Sequence, residues 1–346
     1  MSDPTAPTDL HAPSTNGSGR PAAFPPGLAD LPPVEAPSAG FIVQLFVIPA
    51  VVVLVVILVW LLFGKLAGGE RDAMEYVRLM RASDSNSRAA DRAAFELASL
   101  IQNDSKLAAD PKLLGELTEL LNHDLDKVEN PGMTQYLALA LGKFQTLDGV
   151  NASGKKMDPL ATLARASGPK SPEPVRLAAV ASLAKHAARV DGTIDDPKAV
   201  AALADAGATG DVSLRQLAAY ALGFFAGDAA TAALRDRLND EDRFARYNAA
   251  VALARRDDQA ALGYLREMLR PDDLAKVVTL EAPSEKASKI EAIELEALNA
   301  LQTASKRGRL GLANAVKPEL ERLAKSELAG VRAGALDVLK SLQDSH

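Results

Sequence analysis

One helical phrase recurs along this chain at intervals of about 40 residues, and that period restricts the fold to helix pairs stacked in one dimension. It reads Val175-Arg176-Leu177-Ala178-Ala179-Val180-Ala181-Ser182-Leu183 in one copy. It returns as Leu214 to Leu222, as Ala245 to Leu253 and as Val331 to Leu339. Each copy has an arginine (Arg176, Arg215, Arg246, Arg332), an alanine three residues on and a leucine seven residues on. The same slot holds Thr134 in the copy from Met133 to Phe144 and Glu294 in the copy from Ile293 to Leu301, and a degenerate first copy surrounds Asp91 to Leu100. Seven copies are thus legible.

Periodicity inside a copy agrees with a helix. Leu214, Leu217, Ala218, Ala221, Leu222 and Phe225 fall at i, i+3, i+4, i+7, i+8 and i+11, a single apolar stripe. A partner helix precedes each phrase, as Lys198 to Asp205 does for Val212 to Phe225 and Ala229 to Leu238 does for Arg243 to Ala254. Asp110-Pro111, Asp158-Pro159 and Asp196-Pro197 carry start signals: the aspartate accepts from orphan amides, and proline suits the first helical position.

The Arg-x-x-Ala phrase resembles that of HEAT repeats, in particular the short Ala-rich variety of bilin-lyase type. The resemblance extends from near Arg71 to Leu342. It implies an all-α solenoid of about seven HEAT-like helix pairs, with second helices lining a face that binds a partner. It does not imply an activity. Acidic residues four positions before two of the arginines, Asp211 before Arg215 and Asp242 before Arg246, suggest that Arg176, Arg215, Arg246 and Arg332 form a structural ladder.

Ahead of the repeats, Phe41 to Phe63 contains no charged residue. At about 1.5 Å per residue this run would reach roughly 34 Å, enough for one transmembrane helix and bilayer contact through 41–63. Arg20 is the one basic side chain before it, whereas Lys65, Arg71, Arg78 and Arg81 follow. The positive-inside rule then places the N-terminus outside and the repeats in the cytoplasm, at a bacterial inner membrane. Residues 1–40, rich in Pro, Ala and Ser, are expected to form a disordered tail, 64–70 a short linker and 71–346 the solenoid.

Little in the chain points to chemistry. There is no cysteine, which excludes disulfides and thiolate sites, and the four histidines lack metal-ligand spacing, so neither metal nor cofactor is expected. Net charge is −6 and no basic field for nucleic acid stands out. Gly149 to Lys156 reproduces the glycines and lysine of a phosphate-binding loop, but Lys156 replaces the magnesium-holding hydroxyl. A flexible inter-repeat loop is expected there. Arg255-Arg256 and Lys306-Arg307-Gly308-Arg309 are basic clusters expected to be solvated, although the second could touch anionic lipid.

Aromatic residues gather in the fourth and fifth copies: Tyr220, Phe224, Phe225, Phe244, Tyr247 and Tyr264. Most are expected in the core, and Arg243, Arg246 and Tyr247 are the candidate partner surface. The interruption from Pro271 to Lys289 is expected to be a surface loop. The functional expectation is a membrane-anchored interaction scaffold or adaptor for a protein partner, not an enzyme. The alternatives are an accessory or lyase-type enzyme subunit and a factor for membrane-protein assembly or quality control.

Overall fold

A computed structural model describes residues 51, 53–59, 72–82, 88–127, 131–190, 192–280 and 282–344. Two units separate at Glu70 and Arg71, and the second, Arg71–His346, carries the repeats. It is an all-α solenoid. The first helices of its pairs are α1 (Ala73–Ala82), α4 (Pro111–Lys127), α6 (Pro159–Ala166), α8 (Pro197–Thr209), α10 (Gly227–Arg237), α12 (Leu262–Met268) and α16 (Lys317–Leu323). The second helices are α2 (Arg88–Asn103), α5 (Pro131–Leu141), α7 (Glu173–Arg189), α9 (Val212–Leu222), α11 (Arg243–Ala254), α14 (Pro283–Lys306) and α17 (Ala329–Gln343). Short helices α3 (Ser105–Ala108), α13 (Pro271–Val277) and α15 (Gly311–Ala315) occupy connections.

The starts follow the local chemistry. Asp110 accepts from the amides of Lys112 (2.8 Å) and Leu113 (3.3 Å), Asp158 from Ala161 (2.9 Å) and Asp196 from Lys198 and Ala199 (both 2.9 Å). Each aspartate satisfies donors that the first helical turn leaves without partners. The stripe in α9 turns inward: Leu214, Ala218, Ala221, Leu222 and Phe225 are buried and Leu217 packs against them. One helix cannot bury such a stripe alone, so each second helix packs on the next, α2 on α5, α5 on α7, α7 on α9, α9 on α11, α11 on α14 and α14 on α17. Small residues set the approach. A Cβ on Gly142, just after α5, would come within 2.4 Å of Ser182 Oγ on α7, and that hydroxyl donates to Ala138 O at 2.7 Å.

Two loop expectations give way to ordered structure. Gly149–Val150 (β1) pairs antiparallel with Lys156–Met157 (β2), so the phosphate-loop look-alike is a β-hairpin whose turn includes Gly154 at φ +79°. Asn151 Oδ1 accepts from Lys155 N (2.8 Å) and Ser153 Oγ (2.7 Å), and the strand lies on α4 where Gly115 leaves room. The interruption from Pro271 to Lys289 is likewise helical, comprising α13 and the first turns of the 24-residue α14. Buried Leu274 and Val278 anchor it. Links across this interruption tie the approach to the seventh pair back to the end of α11 and to α12. Asp257, at φ +59°, accepts from Gly311 N (2.9 Å) and Leu312 N (2.6 Å), and Arg270 Nη2 meets Glu319 Oε1 at 2.7 Å.

Among the described residues no helix is long and apolar enough to cross a membrane. This corrects the single-pass assignment, and with it bilayer contact through 41–63 and an inner-membrane location with cytoplasmic repeats. Residues 51 and 53–59 of that run are helical with exposed side chains. The rest of the run lies outside the described residues, as do the 1–40 tail and the 64–70 linker.

Candidate functional site

The four recurring arginines are each the fourth residue of a second helix, and all fold back onto the turn before it. Arg176 Nε donates to Ser167 O (3.0 Å), Arg215 Nη1 to Gly210 O (3.2 Å), Arg246 Nη1 to Asp240 O (2.5 Å) and Glu241 O (2.8 Å), and Arg332 Nη1 to Ser326 O (2.5 Å). They supply cationic donors to carbonyls at the ends of the first helices and in the joining turns. The acidic residues four positions earlier do something else. Asp211 and Asp242 accept from the amides of Leu214 and Ala245, both at 2.8 Å, as helix caps. Contact with the next repeat comes from Arg215, whose Nε reaches both carboxylate oxygens of Asp240 at 3.1 Å, and from Arg176, whose Nη2 lies 3.4 Å from Thr209 Oγ1.

Thr134 fills the same slot with a hydroxyl donated to Asp124. Glu294 cannot act alike, because α14 begins at Pro283 and the slot falls in its interior, away from any turn carbonyls. The carboxylate is buried and Oε1 has no hydrogen-bond partner. Burial, opposed by the charge of Arg322, raises its pKa from 4.5 to about 7.

A second set of arginines has a structural role that the sequence did not show, although Arg256 stands in a cluster expected to be solvated. Arg189, at the end of α7, donates to Phe144 O and lies 3.5 Å from Gly142 O beyond α5; Arg256, after α11, donates to Leu222 O (3.0 Å) and Phe225 O (2.6 Å) at the end of α9. Each straps the end of the preceding second helix. His186 beside Arg189 is buried. Its Nε2–H donates to Leu141 O (3.0 Å) and its Nδ1 faces Arg189 Nη1 (3.2 Å). Burial and then the Arg189 charge lower its pKa from 6.5 to about 4, so it is neutral. Among the described residues no group of three or more His, Asp or Glu side chains is placed to hold a metal ion.

The candidate surface residues Arg243, Arg246 and Tyr247 do not form one open patch. Tyr247 is buried, its hydroxyl donating to Glu267 Oε1 (2.8 Å), and burial followed by that bond raises its pKa. Arg243 pairs with the same carboxylate at 3.1 Å, while Arg246 holds the turn. What these residues border is a recess of about 270 Å³ across α9, α11 and α14. Val251, Met268 and Ile293 contribute apolar surface to it, and Tyr220, Phe244, Arg255, Lys289 and Glu296 contribute larger or polar groups. Lys289 Nζ stands 4.6 Å over the Phe244 ring, and the Arg255 guanidinium 5.4 Å over that of Phe224. Tyr220 packs edge-on against Phe224 at 4.9 Å and remains 46% exposed.

This stretch of the chain, residues 207–282, matches the family model for HEAT repeats. Over those residues the chain carries HEAT repeats. The sequence matches no curated protein. Solved structures with a similar course include an engineered protein, 16% identical, with 80% of this chain and 98% of that one covered and a TM-score of 0.39. Kap95p, solved with RanGDP, is 15% identical with a TM-score of 0.43; the match covers 79% of this chain but 35% of Kap95p. Human deoxyhypusine hydroxylase in complex with glycerol is 17% identical, with 82% and 99% covered and a TM-score of 0.29. The recess lies on the layer made by the second helices α9, α11 and α14.

Proposed function

We propose that the chain is a protein-interaction scaffold and that its partner docks along the second-helix layer at α9, α11 and α14. The recess supports this reading. An apolar floor, an exposed tyrosine and two cations poised over aromatic rings suit a segment that inserts an apolar side chain between carboxylates. Domain organisation follows the same logic, with residues 71–346 as the binding body. An enzyme subunit is the alternative reading.

The test uses full-length protein and a purified partner first identified by crosslinking. Tyr220→Ala on α9 and Lys289→Glu on α14 should each weaken that partner about tenfold, the lysine change acting mainly through association rate. Circular dichroism should stay unchanged, because both side chains are exposed. Unaltered affinity in both variants would place the partner elsewhere. Turnover of a small molecule abolished by one polar substitution would instead make the chain an enzyme.

A further inference from the structure

Arg255-Arg256 and Lys306-Arg307-Gly308-Arg309 lie some fifty residues apart in sequence, yet the fold brings them to one cleft of about 560 Å³. The cleft forms where the ends of α9, α11 and α14 meet the start of α10, and its surface is mostly polar. Arg255, Arg256, Arg307 and Arg309 all line it, with the hydroxyls of Thr231 and Thr303. Asp228 is the one carboxylate on the lining, against four guanidinium groups. Other acids stand close by: a Cβ on Gly227 would lie 2.7 Å from Asp195 Oδ1, Asp258 Oδ2 lies 2.7 Å from Arg235 Nη2, and Glu296 faces Arg255 at 3.9 Å.

Part of this charge has a structural purpose. Arg256 donates to Leu222 O, Phe225 O and Thr231 Oγ1 (2.6 Å), all uncharged acceptors, so its positive charge is not neutralised by them. Its pKa is lowered by burial, with Asp258 opposing and the charge of Arg309 lowering it further, which shows that these cations repel one another. The helix dipole favours a cation at each helix end. It does not account for paired arginines after α11 and after α14 pointing into a shared space. Arg309 forms no ion pair among the described residues.

We propose that this cleft is a binding site for a small oligophosphate. Guanidinium forks match phosphate oxygens bidentately, and the volume lies in the range of small-ligand sites, about 300–1,000 Å³. Two adjacent phosphoryl groups suit the excess of cations better than a single carboxylate does. The site is separate from the recess at α9, α11 and α14 except for Arg255, which borders both.

Isothermal titration of the full chain with inorganic pyrophosphate, at fixed ionic strength, tests the proposal. A saturable one-to-one isotherm is expected. Arg307→Gln and Arg309→Gln, both at exposed positions, should each weaken it by about tenfold or more, while Lys306→Gln, next to but off the lining, should change it less than about twofold. Arg309→Gln should leave the melting temperature without ligand unchanged, which separates lost binding from lost folding. Absence of a saturable isotherm up to about 1 mM pyrophosphate would overturn the site. So would equal weakening by Lys306→Gln and Arg309→Gln, the mark of general charge attraction.

Discussion

Replacing Glu294 by glutamine should abolish a pH-dependent weakness built into α14. The carboxylate is buried, Oε1 is unpartnered, and its pKa stands near 7 against an ordinary 4.5. A folded-state pKa raised above the unfolded value means that the stabilisation is complete below about pH 4.5 and is lost as pH rises through about 7. Between pH 5 and pH 8 the loss from this one group reaches about 2.5 kcal/mol at most, at roughly 1.4 kcal/mol per unit. His186 has the opposite slope. Its folded pKa is lowered to about 4, so stability is lost as pH falls from 6.5 toward 4. The two groups oppose each other across nearly the same window, and the wild-type curve should look flatter than either contribution. Thermal melts of wild type and Glu294→Gln at pH 5 and pH 8 isolate the glutamate. The difference in Tm should grow in favour of glutamine by about 5 °C at the higher pH. A difference that is the same at both pH values would refute the burial argument, since any change in packing or hydrogen bonding by glutamine is pH-independent.

Leu222→Ala removes a fully buried side chain from the α9 stripe and should cost about 2–5 kcal/mol, read as a lower denaturation midpoint; an unchanged midpoint would reject the assigned face. Gly115→Val places a Cβ 2.2 Å from the carbonyl carbon of Val150, which is backbone and cannot swing aside, so β1 should detach from α4. Faster amide exchange confined to Val150–Met157 and the facing turn of α4 is the expected result, and unchanged protection there would contradict it.

Repetition explains why the helix pairs could be read from sequence. The stripe from Leu214 to Phe225 and the Asp-Pro starts are local signals, and the fold places each where local rules put it. The ordered segments at 149–157 and 271–278 were missed for a different reason. A two-residue strand has no periodicity to detect, and what pins the hairpin is Gly115, more than thirty positions earlier. The candidate partner surface is legible only in part. Tyr247 borders the recess, yet its alignment on the helix turns it inward, and Lys289 lay in a segment read as a loop. The basic cleft needed three dimensions. Arg255 and Arg309 are brought together by the stacking of α11 on α14, which no window of sequence contains.

The clasp from Asp257 to Gly311 and Leu312 bears on how the chain assembles. Most neighbouring pairs close over about one repeat length, whereas this contact spans 54 to 55 residues because α13 and the long α14 intervene. Closing the longer segment adds only a few tenths of a kcal/mol of chain entropy, which the two charge-assisted bonds offset. The delay is kinetic more than energetic. The seventh pair has to await an ordered end of α11, so refolding should proceed from the middle of the array and reach the C-terminal pair last.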